Sequence, residues 1–103
     1  MAQPMRIRAR LDKGVAHVQL LMLHPMETGL RVDAAGSLVP PHYITDVTVT
    51  LAARTVFAAR MSIAVSRDPL LNFRVAGAVA GQTLRVTWTD SQGQTRRDDA
   101  VIA

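Results

Sequence analysis

The sequence predicts an all-β fold, an immunoglobulin-like antiparallel β-sandwich of about seven strands in a single domain over residues 1–103. Apolar and polar residues alternate with a period of two along most of the chain. Turn-forming residues recur about every ten residues, and no segment has a convincing helical pattern. A chain of 103 residues with 49% apolar side chains has enough apolar residues to form one hydrophobic core. A β-barrel is the alternative that this pattern allows.

The first two strands are predicted to form a hairpin. Residues 5–11 alternate between apolar side chains and arginines, a pattern typical of a strand with one buried and one solvated face. Asp12, Lys13 and Gly14 predict a tight turn, because glycine adopts positive φ without steric cost. Residues 16–22 alternate again and are therefore expected to pair with the first strand.

The periodicity stops over residues 24–43, which contain three prolines and two glycines. A loop of about 20 residues is long for a compact domain, and such loops are usually functional or mobile. A short hairpin turning near residues 34–36 would shorten the irregular part.

The second half of the chain predicts further strands. Alternation resumes at Ile44 and runs to Leu51. Residues 55–65 contain alanines that would support a helix, but their β-branched and aromatic residues favour one or two strands. Asp68 and Pro69 end that segment. Strands follow over residues 71–75, 84–89 and 95–102, and the last two are joined by a turn at residues 90–93.

The composition argues against catalysis and against several classes of partner. The chain has no cysteine, no nucleophile elbow and no glycine-rich phosphate loop. Its 12 basic and 8 acidic residues are interspersed, which disfavours nucleic-acid binding, and no apolar run approaches the roughly 18–20 residues of a membrane span. We therefore expect a non-enzymatic binding or scaffolding domain with no cofactor, no nucleic acid and no membrane.

A metal site is the alternative that the histidines raise. If the two ends of the long loop meet, His24, Glu27 and His42 would supply two imidazoles and a carboxylate, a set suited to zinc or iron. No short spacing between the histidines supports this reading. The competing interpretation is that both histidines form hydrogen bonds to the backbone and hold the loop in place.

The first strand carries Arg6, Arg8 and Arg10 on one face, about 6.6–6.8 Å apart by strand geometry. Such a row would steer anions or dock an acidic partner. It is more typical of a solvated outer face that discourages pairing between sheet edges.

Several apolar residues lie in or beside the long loop, out of phase with the strands. They are Leu21, Leu23, Met26, Leu30, Val32 and Leu38. They indicate either a protein–protein surface or a small cluster that folds the loop onto the sandwich.

The loop sequence also resembles a known family. Residues 24–31 read His-Pro-Met-Glu-Thr-Gly-Leu-Arg, and Asp33, Gly36 and the Pro-His-Tyr-Ile of residues 41–44 follow. Together they resemble the SoxZ family of thiosulfate-oxidation proteins. The agreement includes residues 5–9, Pro69 with Phe73, and a Gly-x-x-x-x-Val-x-Trp-x-Asp-x-x-Gly pattern over residues 81–93, so it spans nearly the whole chain.

The resemblance implies an immunoglobulin-like sandwich that pairs with SoxY, as a heterodimer or heterotetramer, to form the sulfur carrier of the Sox pathway. In that family SoxY holds the carrier cysteine on a flexible arm. Sulfur intermediates pass on it between the heme-containing SoxAX, the hydrolase SoxB and the sulfur dehydrogenase. A chain without cysteine fits a non-catalytic subunit that stabilises SoxY and presents its arm.

The expected location also follows from the resemblance. The first residues show no apolar segment of an export signal. In the family SoxY carries a twin-arginine signal and takes its partner across as a folded complex. We therefore expect a periplasmic protein that is exported with a signal-bearing partner and has no signal peptide of its own.

The partner-facing surface is expected in the part of the loop with the most specific sequence. The residues assigned to it are His24, Pro25, Met26, Glu27, Thr28, Gly29, Leu30, Arg31, His42 and Tyr43.

Overall fold

The computed structural model describes residues 2–103 of the chain. These residues contain seven β-strands and no helix. The strands are β1 (Arg6–Asp12), β2 (Val15–Leu21), β3 (Ile44–Leu51), β4 (Arg54–Arg60), β5 (Leu70–Ala76), β6 (Thr83–Asp90) and β7 (Thr95–Val101). The all-β prediction is confirmed. Within the described range no helix is long and apolar enough to cross a membrane.

The strands form two antiparallel sheets, with the orders β1-β2-β5 and β4-β3-β6-β7. The chain crosses from one sheet to the other between β2 and β3, between β4 and β5, and between β5 and β6. This is the immunoglobulin-like sandwich that the alternation predicts, rather than a barrel. The sheets meet along one side, where Leu11 N–H donates to Ala103 O at 2.9 Å and Ala103 N–H donates to Ala9 O at 3.1 Å.

The inward-facing positions of both sheets form one core. Its largest fully buried side chains are Trp88, Leu20, Met22, Ile44, Leu84, Ile102, Val47, Val49 and Val86. The opposite side of the sandwich is closed by Phe57 of β4 and Phe73 of β5, whose rings stack with centroids 4.5 Å apart. The ambiguous segment 55–65 contributes a single strand, β4, and its ring at Phe57 packs across the two sheets.

Two hairpins have two-residue turns in the left-handed conformation. Lys13 and Gly14, with φ of 51° and 77°, connect β1 to β2 as the sequence predicts. Ala52 and Ala53, with φ of 51° and 64°, connect β3 to β4. The second turn carries no sequence signal, because alanine has no preference for positive φ and Asn-Gly is the favoured pair there.

The strain in the second turn gives a stability prediction. Replacing Ala52→Asn together with Ala53→Gly should raise the free energy of unfolding by about 1 kcal/mol, because both residues tolerate positive φ better than alanine. That change corresponds to a rise in Tm of about 4–8 °C for a domain of this size. Thermal unfolding followed by circular dichroism measures it.

Ala58→Gly is the control for this variant, because Ala58 is exposed within β4 and lacks a positive φ. It should lower stability by about 0.5–1 kcal/mol through the extra chain entropy of glycine. An unchanged or lower Tm in the double variant would contradict the strain argument.

Residues 27–42 form a projecting arm. Isolated bridges pair Glu27 with His42 at its base and Val32 with Leu38 further out. The tip is a turn in which Asp33 Oδ1 accepts hydrogen bonds from Ala35 N–H at 2.9 Å and Ser37 N–H at 3.0 Å. The protein measures 53 × 21 × 19 Å, about twice the length of its strands, so the arm extends the long axis. The hairpin predicted near residues 34–36 is therefore present.

A buried histidine–aspartate–histidine cluster at the base of the arm

Three side chains converge where the arm joins the sandwich. His24 follows β2, His42 precedes β3 and Asp90 ends β6. One carboxylate oxygen, Asp90 Oδ2, lies 3.0 Å from His24 Nε2 and 2.7 Å from His42 Nε2. The side chains of Asp90, His24 and His42 are 0%, 2% and 21% exposed. The cluster therefore ties both ends of the arm to β6 at a site shielded from water.

The other oxygen of Asp90 shapes the turn between β6 and β7. Asp90 Oδ1 accepts hydrogen bonds from Gln92 N–H at 3.0 Å and Gln94 N–H at 2.9 Å. This is the local reason for an aspartate here, since its side chain mimics a backbone turn. Burial alone raises the pKa of Asp90, but the hydrogen bonds from His24, His42, Gln94 and Gln92 favour the charged form and hold the pKa below its usual value.

The backbone determines which nitrogen of His24 carries the proton. Met26 N–H donates to His24 Nδ1 at 3.1 Å, so Nδ1 is an acceptor and Nε2 carries the hydrogen given to Asp90. Met26 itself adopts a left-handed φ of 49°. Burial lowers the pKa of His24, and the hydrogen bond to Asp90 opposes this without reversing it. A ring that accepts at Nδ1 and donates at Nε2 is neutral, which agrees with this direction.

The rings pack against one another as well as against the carboxylate. The rings of His24 and His42 meet edge to face with centroids 4.5 Å apart, and the ring of His24 meets Trp88 at 5.1 Å and 90°. Met26 fills the space beneath the arm, where its Sδ lies 3.3 Å from Ile44 N. On the other side of the loop, Asp68 Oδ1 accepts from His24 N–H at 2.9 Å. The base of the arm is thus a packed and hydrogen-bonded unit.

Glu27 is not part of this cluster. The two histidines meet as the metal hypothesis requires, but the Glu27 carboxylate accepts from Arg31 Nε at 3.0 Å on both oxygens. Asp90 takes the position expected for Glu27. Sequence reasoning placed Asp90 only in a turn, although the Trp-x-Asp-x-x-Gly pattern marks it as a carboxylate that follows a core tryptophan.

His24, His42 and Asp90 are also the residues of this site that could hold a metal ion. The ligand atoms of His24, His42 and Asp90 lie within 4.8 Å of one another, and these residue types suit zinc or iron. Binding through His24 Nε2 would move its hydrogen to Nδ1, which faces Met26 N–H at 3.1 Å. Two donors would then oppose each other at a buried site. The arrangement fits a hydrogen-bonded anchor better than a metal centre.

The residues assigned to a partner surface differ in their exposure. His24 and Met26 are buried, so they position the arm rather than offer contact area. Glu27, Thr28, Gly29, His42 and Tyr43 are half-buried, and Pro25, Leu30 and Arg31 are exposed. No contact with a partner follows from these positions, and the partner surface stays a prediction.

The out-of-phase apolar residues also divide into two groups. Leu21 and Leu23 are half-buried beside the sandwich and Met26 belongs to the core. Leu30, Val32 and Leu38 are 76%, 56% and 64% exposed on the arm. Part of the set therefore folds the loop onto the sandwich, while the rest faces solvent.

These features define a class of protein, an immunoglobulin-like β-sandwich with a projecting arm anchored by two histidines and a buried aspartate. The family model described as "Sulphur oxidation protein SoxZ" matches residues 5–101. The chain therefore belongs to the SoxZ family, as its sequence suggests, and to the Sox sulfur-oxidation system.

A solved structure resembles this chain in fold. A variant of superoxide reductase (neelaredoxin) from Archaeoglobus fulgidus, in its reduced form, superposes with a TM-score of 0.63 at 16% identity, covering 97% of this chain and 86% of that chain. At that identity the likeness supports a shared β-sandwich fold. No curated protein sequence matches this chain significantly.

The cluster gives a mutational prediction. Asp90→Asn should lower the free energy of unfolding by about 2–4 kcal/mol, because an amide has one acceptor oxygen for two imidazole and two backbone donors. Urea denaturation at pH 7.5 measures the loss. Asp99→Asn is the control, since Asp99 pairs with Arg85 at 2.9 Å on the exposed surface and its loss should lower stability far less than the loss of Asp90. Equal losses in the two variants would show that the cluster is not the anchor.

The pH dependence of stability follows from the lowered pKa values. Because the pKa of His24 is lower in the folded protein, the unfolded chain binds more protons below its ordinary value of 6.5. Stability should be greatest above pH 6.5 and fall as the pH drops through that value. A further fall is expected as the pH nears 3.8, where Asp90 becomes protonated in the unfolded chain.

Urea denaturation between pH 8 and about pH 3.5 measures this profile. His24→Gln removes the titrating ring and keeps an amide donor for Asp90, so its stability should change less with pH than that of the wild type. His17→Gln, on the outer face of β2, should keep the wild-type slope. A slope unchanged by His24→Gln would contradict the assignment.

Proposed function

We propose that this chain is the non-catalytic subunit of a SoxYZ-type sulfur-carrier complex. It pairs with a SoxY-like protein, stabilises it and presents the partner's cysteine-bearing arm to the pathway enzymes. Membership of the SoxZ family supports this role. The chain contains no cysteine, so a sulfur intermediate held on a thiol resides on another subunit.

The observation that carries the proposal is an apolar surface held on a projecting arm. Val32 and Leu38 lie opposite each other in the outer bridge of the arm, so their side chains share one face, and Leu30 lies close to them along the chain. All are mostly exposed. Contiguous exposed apolar groups on a protein of this size are typical of an interface.

The arm is also held in place before any partner binds. Its base is anchored through Asp90, its middle by Val39 N–H donating to Arg31 O at 2.8 Å, and its tip by the Asp33 turn. Because its backbone is ordered in advance, pairing loses less conformational entropy and more of the apolar contact energy appears as affinity.

The wider role is part of the same proposal. Transient contacts with SoxAX, SoxB and the sulfur dehydrogenase, and a periplasmic location reached with a signal-bearing partner, are supported by the family resemblance. The competing function is a metal-binding protein or metal-dependent enzyme using His24, Glu27 and His42. The pairing of Glu27 with Arg31 and the Met26 hydrogen bond to His24 disfavour it.

Substitutions on the arm test the proposal. Leu30→Asp and Val32→Asp should each weaken binding of the SoxY-like protein at least tenfold, which equals about 1.4 kcal/mol, by placing a charge in an apolar contact. Isothermal titration calorimetry measures the affinity. The control is Val79→Asp, a similarly exposed residue in the turn after β5, at the other end of the sandwich from the arm. Equal affinities for the three variants and the wild type would exclude the arm from the interface.

Native mass spectrometry tests the proposal independently of the arm. The chain alone and the chain with a SoxY-like protein are compared, both purified without chelators. A stable heteromeric mass, with sulfur adducts on the partner's cysteine, is the expected result. A monomer that ignores the partner and retains a metal lost in His24→Gln would support the metal function instead.

A further inference from the structure

The outer face of the three-stranded sheet carries a concentration of positive charge. The strand register places Arg8, Gln19 and Asn72 in one row and Arg10, His17 and Arg74 in the next. Arg6 extends the β1 row toward the arm end of the sheet. We name this surface, comprising Arg6, Arg8, Arg10, His17 and Arg74, the cationic face.

The arginines of this face lack acidic partners within the described chain. The Arg–carboxylate pairs of residues 2–103 involve Arg31, Arg60, Arg67, Arg85 and Arg96. Asp12 lies on the same side of β1, beyond Arg10, and forms no ion pair with it within 4.0 Å. The positively charged arginines of this face therefore lie close together with no carboxylate of the described chain paired to them.

The face is also concave. A depression of about 440 Å³ is lined by the polar residues Arg8, Arg10, His17, Gln19, Asn72 and Arg74, together with Val18 and Phe73. Guanidinium groups offer hydrogen-bond donors and no acceptor, and the two amides add further donors. The chemistry of the depression therefore suits carboxylates, because each guanidinium binds a carboxylate through two parallel hydrogen bonds.

Protection of a sheet edge does not account for this charge. The backbone of β1 is already partly covered by the C-terminus, through the hydrogen bonds that join Ala9 and Leu11 to Ala103. The cationic face also extends across β2 to Arg74 on β5, beyond the row on β1. Charge that serves only to block edge pairing has no need to extend over the whole sheet.

We propose that the cationic face docks an extended acidic segment of another protein. The arginines of β1 repeat about every 6.6–6.8 Å, the spacing of alternate residues in an extended chain. Carboxylates at alternate positions of a segment laid along β1 match that spacing, and Arg74 and His17 flank its path. None of the five residues belongs to the arm, so this contact is separate from the pairing surface proposed above.

Binding of a designed peptide to the full chain tests this surface. The probe is a fluorescently labelled ten-residue peptide of alternating glutamate and threonine, followed by fluorescence anisotropy in 50 mM NaCl. Arg8→Ala with Arg10→Ala should weaken binding at least tenfold, and Arg74→Ala alone should weaken it by a smaller factor. Binding should also weaken steeply as NaCl is raised to 300 mM, because the attraction is between exposed charges.

The control variant combines Arg54→Ala with Arg97→Ala, which removes the same net charge from exposed positions on the other sheet. It should bind the peptide as the wild type does. Equal weakening by the two double variants would overturn the proposal by showing an effect of net charge alone. Equal binding of a glutamine–threonine peptide would also overturn it, as would complete displacement by equimolar sodium sulfate, which would indicate a site for small anions.

Discussion

The charge on Asp90 is the feature on which the organisation of this protein depends. A carboxylate withdrawn from water is costly unless its oxygens are fully hydrogen-bonded. Here the donors come from both ends of the arm and from the turn that follows β6. The carboxylate is satisfied only when β2, β3 and β6 meet at the same end of the sandwich. The arm and the sandwich are therefore ordered together rather than independently.

This anchoring separates the residues that hold the arm from those available for contact. His24 and Met26, in the most specific part of the sequence, are buried and determine the direction of the chain. Leu30, Val32 and Leu38 are held out in solvent by that base. His24 and Met26 therefore determine the position of the arm and offer almost no surface for contact.

Two chemically different surfaces remain without partners inside the described chain. The arm presents apolar side chains, whose burial favours a lasting association. The cationic face presents arginines, whose main effects are on association rate and orientation. Under the proposed carrier role, the apolar arm would suit a lasting pairing and the cationic face would suit brief encounters.

The sequence by itself determined the strands, the Lys13–Gly14 turn and the hairpin at the arm tip, because these depend on side-chain alternation and local backbone preference. The Ala52–Ala53 turn was not predictable, since pairing of β3 with β4 imposes a conformation that alanine does not favour. Only the tertiary structure decided that Asp90, rather than Glu27, is the carboxylate that joins the two histidines. Arg31 lies four residues from Glu27 and pairs with its carboxylate through a contact within the arm. Asp90 lies 66 residues from His24, and the order of strands in the sheets brings the two together.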